Sequence, residues 1–254
     1  MPDIGALLSP NAVAVIGAAP DEEMLRGRIL YVMKQHPFAG AIYPVSRSHG
    51  EVQGLKAYPS IEDLPERVDL AIMIIPARFV PDELERCGKA GVKAVQILTS
   101  GFAEEIGDDG AKAQQELREI AERYDMAVVG PNSEGFASTK VALCPTFSPT
   151  FNNQTRPRVP EWRKTGHIAA VAQSGGIGFA FYDRGRPKEL PFSYVVTTGN
   201  EAAINGFDVI EHIIDRNDTD VFLMFMEDVK DPDTFRRVAE KAMRAGKPLI
   251  VTKV

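Results

Sequence analysis

The segment NAVAVIGAAP, residues 11–20, sets the architecture of the first half of the chain. Its apolar run Ala12–Ile16 is followed by the small residues 17–20 and then by a helical pattern. A short apolar run that ends in such a turn before a helix is typical of the first strand of a βαβ unit. These units form a parallel sheet, and ligands bind beyond the carboxyl ends of its strands. The residues after each strand are therefore the first candidates for a binding site.

The alternation of strand and helix continues along the chain. In the first half, further strands are predicted at Ala41–Val45, 70–75, 94–98 and 126–129, and helices near 24–35, 81–90 and 111–124. In the second half, strands are predicted at Ile168–Ala172, 194–197, Val221–Met226 and 249–252, and helices near 177–184, 207–215 and 232–245. This order predicts two α/β domains, each with a parallel sheet.

A change of composition separates the two halves. Residues 145–164 contain four prolines and show no readable period, which is typical of a connecting segment. The predicted organisation is therefore a first domain over 1–145, a linker over 146–163 and a second domain over 164–254. The second domain stops directly after a predicted strand, so the possibility that this domain is truncated remains open.

Composition narrows the function class. The chain has 254 residues and a net charge of -6, whereas nucleic-acid-binding proteins usually carry a basic patch. Its two cysteines form no C-x-x-C pair, so neither a metal site nor a disulfide framework is expected. The first residues show no basic segment and no long apolar run, so we expect no signal peptide, no membrane span and a cytoplasmic location.

Two segments indicate which nucleotide the chain could bind. They are the turn after the first strand and the end of the second strand. The turn at Gly17 lacks the pattern G-x-G-x-x-G, and it is either a phosphate-binding turn or an ordinary tight turn. The second strand ends near Arg47 and His49, without the acidic residue that binds the ribose of NAD. A basic strand end suits a ribose phosphate, so both CoA and NADP remain open. The alternative interpretation of Arg47 is an exposed cation in a loop that binds no ligand.

The later strands of the first half also end in glycine, proline or small polar residues. Pro76 follows the third predicted strand, Thr99 the fourth and Gly130 the fifth. Several such ends at one edge of a sheet indicate a cleft that is lined by backbone.

In the second half, the strand Ile168–Ala172 leads into Gln173-Ser174-Gly175-Gly176. Ser174 is a natural N-cap, and the amides of the two glycines at a helix N-terminus form a good site for a small anion. An ordinary capped helix is the alternative. Glu227 follows the strand Val221–Met226, either as a functional carboxylate or as a solvated strand end.

The segments VAVIGAA, IYPVSR, VDLAIMIIPA, VKAVQILTSGFAE and VVGPNSEG occur in an order and spacing that resemble the CoA-binding domain of NDP-forming acyl-CoA synthetases. That family is similar to the α subunit of succinyl-CoA ligase. The resemblance implies a Rossmann-like CoA-binding domain followed by a flavodoxin-like α/β domain. It also implies contacts to coenzyme A from Gly17, Ala18, Ala19, Pro20, Arg47, Pro76, Ala77, Thr99, Ser100 and Gly101.

The order Q-S-G, T-G-N and a strand ending in glutamate resembles the second domain of the same family. There, the Q-S-G helix faces a phosphorylated histidine, which implies phosphate binding at Ser174, Gly175 and Gly176. Glu227 matches the catalytic glutamate that orients this histidine. One departure is Ser133, because the family usually has cysteine in its G-P-N-C motif.

The implied activity is ligation of CoA to a small carboxylic acid through an acyl phosphate and a phosphohistidine. An ATP-grasp domain, missing here or supplied by a partner, would handle NDP and NTP. None of the four histidines stands in an S-H-T-G motif, and His36 is expected at the surface. We therefore expect the chain alone to be catalytically incomplete. A non-catalytic CoA-binding regulatory module, an NADP-dependent oxidoreductase and homo-oligomerisation remain open.

Overall fold

The computed structural model describes residues 2–152 and 167–254. Its first sheet has five parallel strands in the order β2-β1-β5-β6-β7. A short hairpin lies beside it. The strands of this half are β1 (Ala12–Ile16), β2 (Ala41–Val45), β3 (Glu51–Val52), β4 (Leu55–Lys56), β5 (Leu70–Met73), β6 (Ala94–Ile97) and β7 (Ala127–Val129), with β3 and β4 forming the hairpin.

Four helices accompany the first sheet: α1 (Ile4–Leu8), α2 (Leu25–Lys34), α3 (Val80–Lys89) and α4 (Asp108–Arg123). The inner strands β1, β5 and β6 are buried along their whole length, as strands with helices on both faces are. This burial explains why their sequences are continuous apolar runs rather than alternating ones. The edge strand β2 is only partly buried at its start.

The second sheet also has five strands, in the order β12-β11-β9-β10-β8. Its elements are β8 (Phe136–Ser138), β9 (Ile168–Ala172), α5 (Gly175–Gly185), β10 (Phe192–Thr197), α6 (Gly206–Ile214), β11 (Val221–Met226), α7 (Pro232–Arg244) and β12 (Leu249–Lys253). The strands run parallel except β8, which pairs antiparallel with β10. The predicted fold class, a Rossmann-like parallel sheet followed by a flavodoxin-like α/β unit, is confirmed.

Strand β8 enters the second sheet earlier in the chain than the sequence suggests. The predicted change of domain lies after residue 145, whereas the chain changes sheet between Val129 and Phe136. Of the predicted linker 146–163, residues 153–163 lie outside the described part of the chain. Within the described part, Phe151 is fully buried against Phe179 and Tyr182, so this stretch packs on α5.

The two sheets share one continuous hydrophobic core. This core includes Val15 and Ile72 from the first sheet together with Val171 and Phe222 from the second. Helix α1 packs at the junction, in contact with β6, β7 and α6, and its Leu7 is fully buried. Burial of a leucine contributes about 1.5–3 kcal/mol. The shared core therefore holds the strand ends of the first sheet in a fixed position relative to the second.

Candidate functional site

A cavity of about 660 Å³ lies between the two sheets and is called the main cavity below. Its first wall consists of residues that follow strands β5 and β6, and its second wall is formed by the beginning of α5 and the end of β11. The predicted residues found together in its lining are Pro76, Ala77, Thr99, Ser100, Ser174, Gly175 and Glu227. The strand ends of both halves therefore face one space.

A second cavity of about 270 Å³, called the side cavity, lies at the ends of β1 and β2. Gly17, Arg47 and Pro76 line it. The two cavities share Arg26, Ile75 and Pro76. A ligand that is long and narrow can thus extend from Arg47, past Arg26, to the N-terminus of α5.

The backbone of the turn at Gly17 lies close to the backbone of Ile74. Gly17 has a φ of +92°, and a Cβ added there would lie 2.3 Å from the carbonyl oxygen of Ile74. Only glycine satisfies both conditions without strain. The Nε of Arg26 donates a hydrogen bond of 2.9 Å to the Gly17 carbonyl, which holds this arginine at the junction of the two cavities. The sequence did not single out Arg26, although a cation in the first turn after a glycine turn is a usable signal.

Arg47 lies at the rim of the side cavity. Its side chain is 73% exposed, and its guanidinium lies 3.6 Å from the buried carboxylate of Glu83. The same Glu83 oxygen accepts a 3.0 Å hydrogen bond from Arg86. Glu83 is shared between the two arginines, and Arg86 also pairs with Glu62, so the weakly paired and exposed guanidinium of Arg47 remains available to a ligand. This arrangement suits an anionic group such as a phosphate.

Thr99 has a structural contact in addition to its place in the main cavity. Its hydroxyl donates a 2.7 Å hydrogen bond to the carbonyl of Ile75 and so joins the ends of β5 and β6. Gly101, with a φ of +105°, donates its amide to Glu104 at 2.6 Å. Gly101 does not line either cavity, and the same holds for four more predicted residues: Ala18, Ala19, Pro20 and Gly176. Their assigned roles stay predictions.

The N-terminus of α5 opens into the main cavity. Ser174 is the N-cap residue by position, yet its side chain makes no capping hydrogen bond, and the first turn contains no acidic residue. The first amides of a helix lack intrahelical partners, and the helix dipole favours an anion there. Since Gly175 and Ser174 line the cavity, these amides are available to a ligand.

Gln173, just before this helix, is a buried clamp on the end of β11. Its side-chain oxygen accepts hydrogen bonds from the amides of Glu227 at 2.6 Å and Asp228 at 3.0 Å. Its side-chain nitrogen donates to the Asp228 carbonyl at 2.9 Å and to a carboxylate oxygen of Glu201 at 2.8 Å. The position of Glu227 relative to α5 is thus fixed through its backbone, while its side chain stays exposed.

Glu201 completes this network. Its other carboxylate oxygen accepts hydrogen bonds of 2.8 Å from the Thr198 hydroxyl and from the amide of Gly206. Burial raises the pKa of the Glu201 carboxyl, although these donors and Gln173 oppose the shift. Neither Glu201 nor the clamp is predictable from the sequence, because nothing local to T-G-N-E shows that its glutamate turns inward.

Ser133 joins the two sheets at the base of the main cavity. Its hydroxyl oxygen accepts hydrogen bonds from Gln96 at 2.7 Å and from the Gly135 amide at 3.0 Å, and it donates to the Thr197 carbonyl at 2.7 Å. The residue is 3% exposed. The small hydroxyl therefore serves as a structural junction.

Glu134, the next residue, faces the main cavity and is half-buried. It packs against the beginning of α5, because a Cβ added at Gly175 would lie 2.9 Å from a Glu134 carboxylate oxygen. Burial raises the pKa of the Glu134 carboxyl, against the opposing effect of the nearby Ser148 side chain.

No histidine is among the described residues that line the two cavities. The expectation that His36 lies at the surface is wrong, because the residue is only 7% exposed. Its Nε2 lies 2.9 Å from the carbonyl of Phe151, a residue that covers the end of α2, and burial lowers the pKa of the His36 imidazole. His49 is exposed beside Ser46 and Ser48.

Two family models match the sequence in the same order as the two sheets. Residues 11–139 match the CoA binding domain, and residues 165–254 match the succinyl-CoA ligase like flavodoxin domain. The chain belongs to the CoA-binding domain family. The resemblance seen in the sequence is thereby confirmed, and the succinyl-CoA ligase like flavodoxin domain is the second unit of the chain.

Curated relatives agree with this assignment. The chain is 38% identical over 247 residues to the ADP-forming acetate–CoA ligase I of Archaeoglobus fulgidus, covering 97% of this chain and 34% of the relative. It is 37% identical over 252 residues to the α subunit of the ADP-forming acetate–CoA ligase I of Pyrococcus furiosus, covering 98% and 52%. The chain thus spans about a third to a half of the length of these relatives.

Solved structures share the arrangement of both units. The dinucleotide-forming acetyl-coenzyme A synthetase 1 of Ca. Korarchaeum cryptofilum, in complex with phosphate and ADP, matches with a TM-score of 0.87 and 31% identity, over 100% of this chain and 52% of that one. A crystal structure from Pyrococcus horikoshii OT3 matches with a TM-score of 0.88 and 34% identity, over 99% and 54%.

In residues 2–152 and 167–254, no helix combines the length and the apolar character that a bilayer crossing requires. Within the same residues, no three His, Cys, Asp or Glu side chains converge as ligands for a metal ion.

Proposed function

We propose that this chain is the CoA- and phosphate-binding portion of an NDP-forming acyl-CoA synthetase. The observation that carries this proposal is the continuity of the two cavities, which share Arg26, Ile75 and Pro76 and end at the N-terminus of α5. CoA combines a nucleotide with a long thiol arm. It fits a path that begins at a basic rim and ends at an anion site.

In this arrangement, Arg47 contacts the ribose phosphate of CoA and Arg26 contacts the diphosphate. The thiol end lies in the main cavity near Ser174. Phosphate that is bound at the amides of Gly175 and Gly176 then attacks the thioester carbonyl, CoA leaves as its thiolate, and an acyl phosphate forms. The positive end of α5 stabilises the negative charge on the phosphoryl group through this step.

The acyl phosphate next transfers its phosphoryl group to a histidine that an additional segment or subunit supplies, and the bond between phosphorus and the acyl oxygen breaks to release the free carboxylate. Glu227 is placed to orient that histidine, since Gln173 fixes its backbone beside α5. A covalent carrier divides one difficult transfer into two easier ones. We include an ATP-grasp partner, ADP as the nucleotide, a small carboxylic acid as substrate and a cytoplasmic location in the proposal. Relatives named for acetate and for 4-hydroxybutyrate support an acid of small size, whereas one relative is named for the larger trans-feruloyl group.

Calorimetric titration of the chain with CoA, NADP and NAD tests the ligand. CoA is expected to bind at least tenfold more tightly than either dinucleotide, because only CoA has an arm that fills the main cavity beyond Arg26. Tighter binding of NADP would instead support the oxidoreductase interpretation and overturn the proposal.

The phosphate site is tested with Gly176→Asp and Gly176→Ala. An added Cβ at Gly176 meets nothing within 4 Å, so neither variant strains the fold. The aspartate places a negative charge in the first turn of α5, which stabilises the helix by about 0.3–1 kcal/mol but repels phosphate. We expect phosphorus NMR titration to show phosphate binding to the wild type and to Gly176→Ala, and at least tenfold weaker binding to Gly176→Asp. Equal binding to all three would place phosphate elsewhere.

A further inference from the structure

Glu134 brings a carboxylate to the wall of the main cavity where the two units meet. Its backbone is held independently of its side chain: the amide donates to the Thr197 hydroxyl at 3.1 Å, and the carbonyl accepts from the Thr146 hydroxyl at 2.7 Å. The turn between β7 and β8 therefore does not need the carboxylate. The side chain is free to serve another purpose.

The partners of the Glu134 carboxylate are few. Ser148 is the polar group that acts on its pKa, the described residues donate no direct hydrogen bond to it, and no ion pair that they form includes it. The same cavity wall carries Phe147, Ile74 and Leu98, which are apolar. Desolvation in these surroundings is unfavourable for a carboxylate, as the raised pKa of Glu134 also shows. A hydrogen-bond donor on a ligand would relieve this cost.

The carboxylate also lies at a defined end of the cavity. A Cβ added at Gly175 would be 2.9 Å from a carboxylate oxygen and 2.6 Å from the Cβ of Glu134, so the side chain touches the first residue of α5. Under the proposed function, the acyl carbon lies next to this helix terminus. Groups within a few bonds of the acyl carbon are then those that reach Glu134, whereas the pantetheine arm and the nucleotide lie toward Arg26.

We propose that Glu134 selects short carboxylic acids whose chain carries a hydrogen-bond donor, a hydroxyl or an ammonium group, over unsubstituted acids of the same length. This inference rests on the proposed function, because it needs the acyl group of a CoA thioester in the main cavity. A site that is built to hydrogen-bond a substrate group rejects an analogue that lacks the group, since its own polar atom is then left unpaired. Glu134 is a specificity-determining residue in this proposal.

The test measures dissociation constants of matched thioesters by calorimetry on the 254-residue chain. Propionyl-CoA is compared with 3-hydroxypropionyl-CoA and with 3-aminopropionyl-CoA, and free CoA is the reference. The variants are Glu134→Leu and Glu134→Gln, and Glu105→Leu is the matched control, because Glu105 is exposed and lines neither cavity. We expect at least one substituted thioester to bind the wild type about tenfold more tightly than propionyl-CoA, which is what a hydrogen bond to a charged group provides.

The variants then separate the sources of the preference. Glu134→Leu is expected to bring the ratio close to one, while Glu105→Leu leaves it unchanged. Glu134→Gln removes the charge but keeps an amide oxygen, so it abolishes a preference for the ammonium and retains part of a preference for the hydroxyl. If Glu134→Leu does not fold, Glu134→Gln alone decides, since a preference for either group must fall in it.

Two results would overturn the inference. One is equal binding of all three thioesters to a wild-type chain that binds CoA. The other is a preference that survives in Glu134→Leu or, where that variant does not fold, stays at its full size in Glu134→Gln. Failure of CoA and of every thioester to bind is a different result, because it would remove the proposed function itself.

Discussion

The two ends of the cleft are built differently. At the side cavity, the ligand-facing surface consists of a close backbone turn at Gly17 and two arginines, Arg26 and Arg47, that are largely exposed. At the beginning of α5, the surface is a helix terminus that is held from behind by Gln173 and Glu201, both buried and hydrogen-bonded. One end presents exposed charge, and the other is supported by buried polar groups.

This difference separates affinity from stability. An exposed arginine contributes little to the folded state, since surface substitutions usually change the free energy of unfolding by less than about 0.5 kcal/mol. A buried polar group that loses its partner costs about 1–3 kcal/mol. Changes at the side cavity should therefore alter binding alone, while changes behind α5 should alter the stability of the fold.

The largest effect is expected for Gln173→Leu. The substitution removes four hydrogen bonds and leaves one oxygen of the buried Glu201 without its amide donor. We expect the free energy of unfolding to fall by roughly 3 kcal/mol or more. Urea denaturation measures it. Gln115→Leu is the control, because Gln115 is exposed and bonds only to Glu119, and it should change the value by less than about 0.5 kcal/mol.

Binding of CoA should be nearly unchanged in the Gln173→Leu variant. The dissociation constant for CoA, measured well below the unfolding transition, is expected to change by less than about threefold. Gln173 lines the main cavity at its α5 end, whereas the nucleotide of CoA is assigned to the end with Arg26 and Arg47. A variant that keeps its stability but loses CoA binding would erase the distinction between the two ends.

Ser133→Ala is expected to have the next largest effect. The hydroxyl lies between the sheets, and its removal leaves the side-chain nitrogen of Gln96 and the amide of Gly135 without their acceptor. The expected loss is about 1–3 kcal/mol in the free energy of unfolding, again by urea denaturation. Ser100→Ala, at an exposed serine of the main cavity, should leave stability unchanged. A negligible loss for Ser133→Ala would show that water replaces the hydroxyl.

Much of the fold is readable from local sequence. The bounds of β1, β2, β9 and β11 agree with the predicted ones, because buried parallel strands are short apolar runs between turn residues. Strand β8 was missed, since Phe136–Ser138 is too short to show a period. Its identity as a strand comes from pairing with β10, whose partner residues lie far along the chain.

The candidate site divides in the same way. Residues that contribute backbone at strand ends, such as Gly17 and Thr99, were identified because their position follows from the strands. Side chains that act through distant contacts were not. Gln173 meets Glu201 and Asp228 across 28 and 55 residues, and Glu134 meets Gly175 only after the second sheet forms. These contacts form only through tertiary packing, so no periodicity in the sequence predicts them.

Arginine substitutions test which part of the ligand binds at the side cavity. Arg47→Gln is expected to weaken CoA about tenfold and 3′-dephospho-CoA less than twofold, because Arg47 is assigned to the ribose phosphate and a hydrogen bond to a charged group is worth about 1.5–3 kcal/mol. Arg26→Gln should weaken both ligands equally, by about tenfold. Arg236→Gln is the control, since its side chain is 71% exposed, close to the 73% of Arg47. Equal losses for Arg47→Gln with the two ligands would refute its assignment to the ribose phosphate.

The smallest effect concerns the pH dependence of stability at Glu134. Burial raises the pKa of this carboxyl above its ordinary value of 4.5, so the folded chain holds the proton more tightly than the unfolded chain. When the folded state binds more protons, the free energy of unfolding falls as pH rises. The wild type should therefore lose stability relative to Glu134→Gln from about pH 4.5 upward until the folded-state pKa is passed.

Paired urea titrations of the wild type and Glu134→Gln across this range measure the difference, and all other carboxyls cancel in it. The change should be smaller than that for Ser133→Ala, because part of the Glu134 side chain keeps its contact with solvent. A saturating concentration of 3-hydroxypropionyl-CoA or 3-aminopropionyl-CoA should reduce this pH dependence, because a ligand that pairs with the Glu134 carboxylate stabilises the charged form of the side chain. A wild type that gains stability relative to the variant with rising pH would mean that the carboxylate already has a favourable partner. In that case, the Glu134 carboxylate would be a structural partner of the amides at the beginning of α5 rather than a group that meets the ligand.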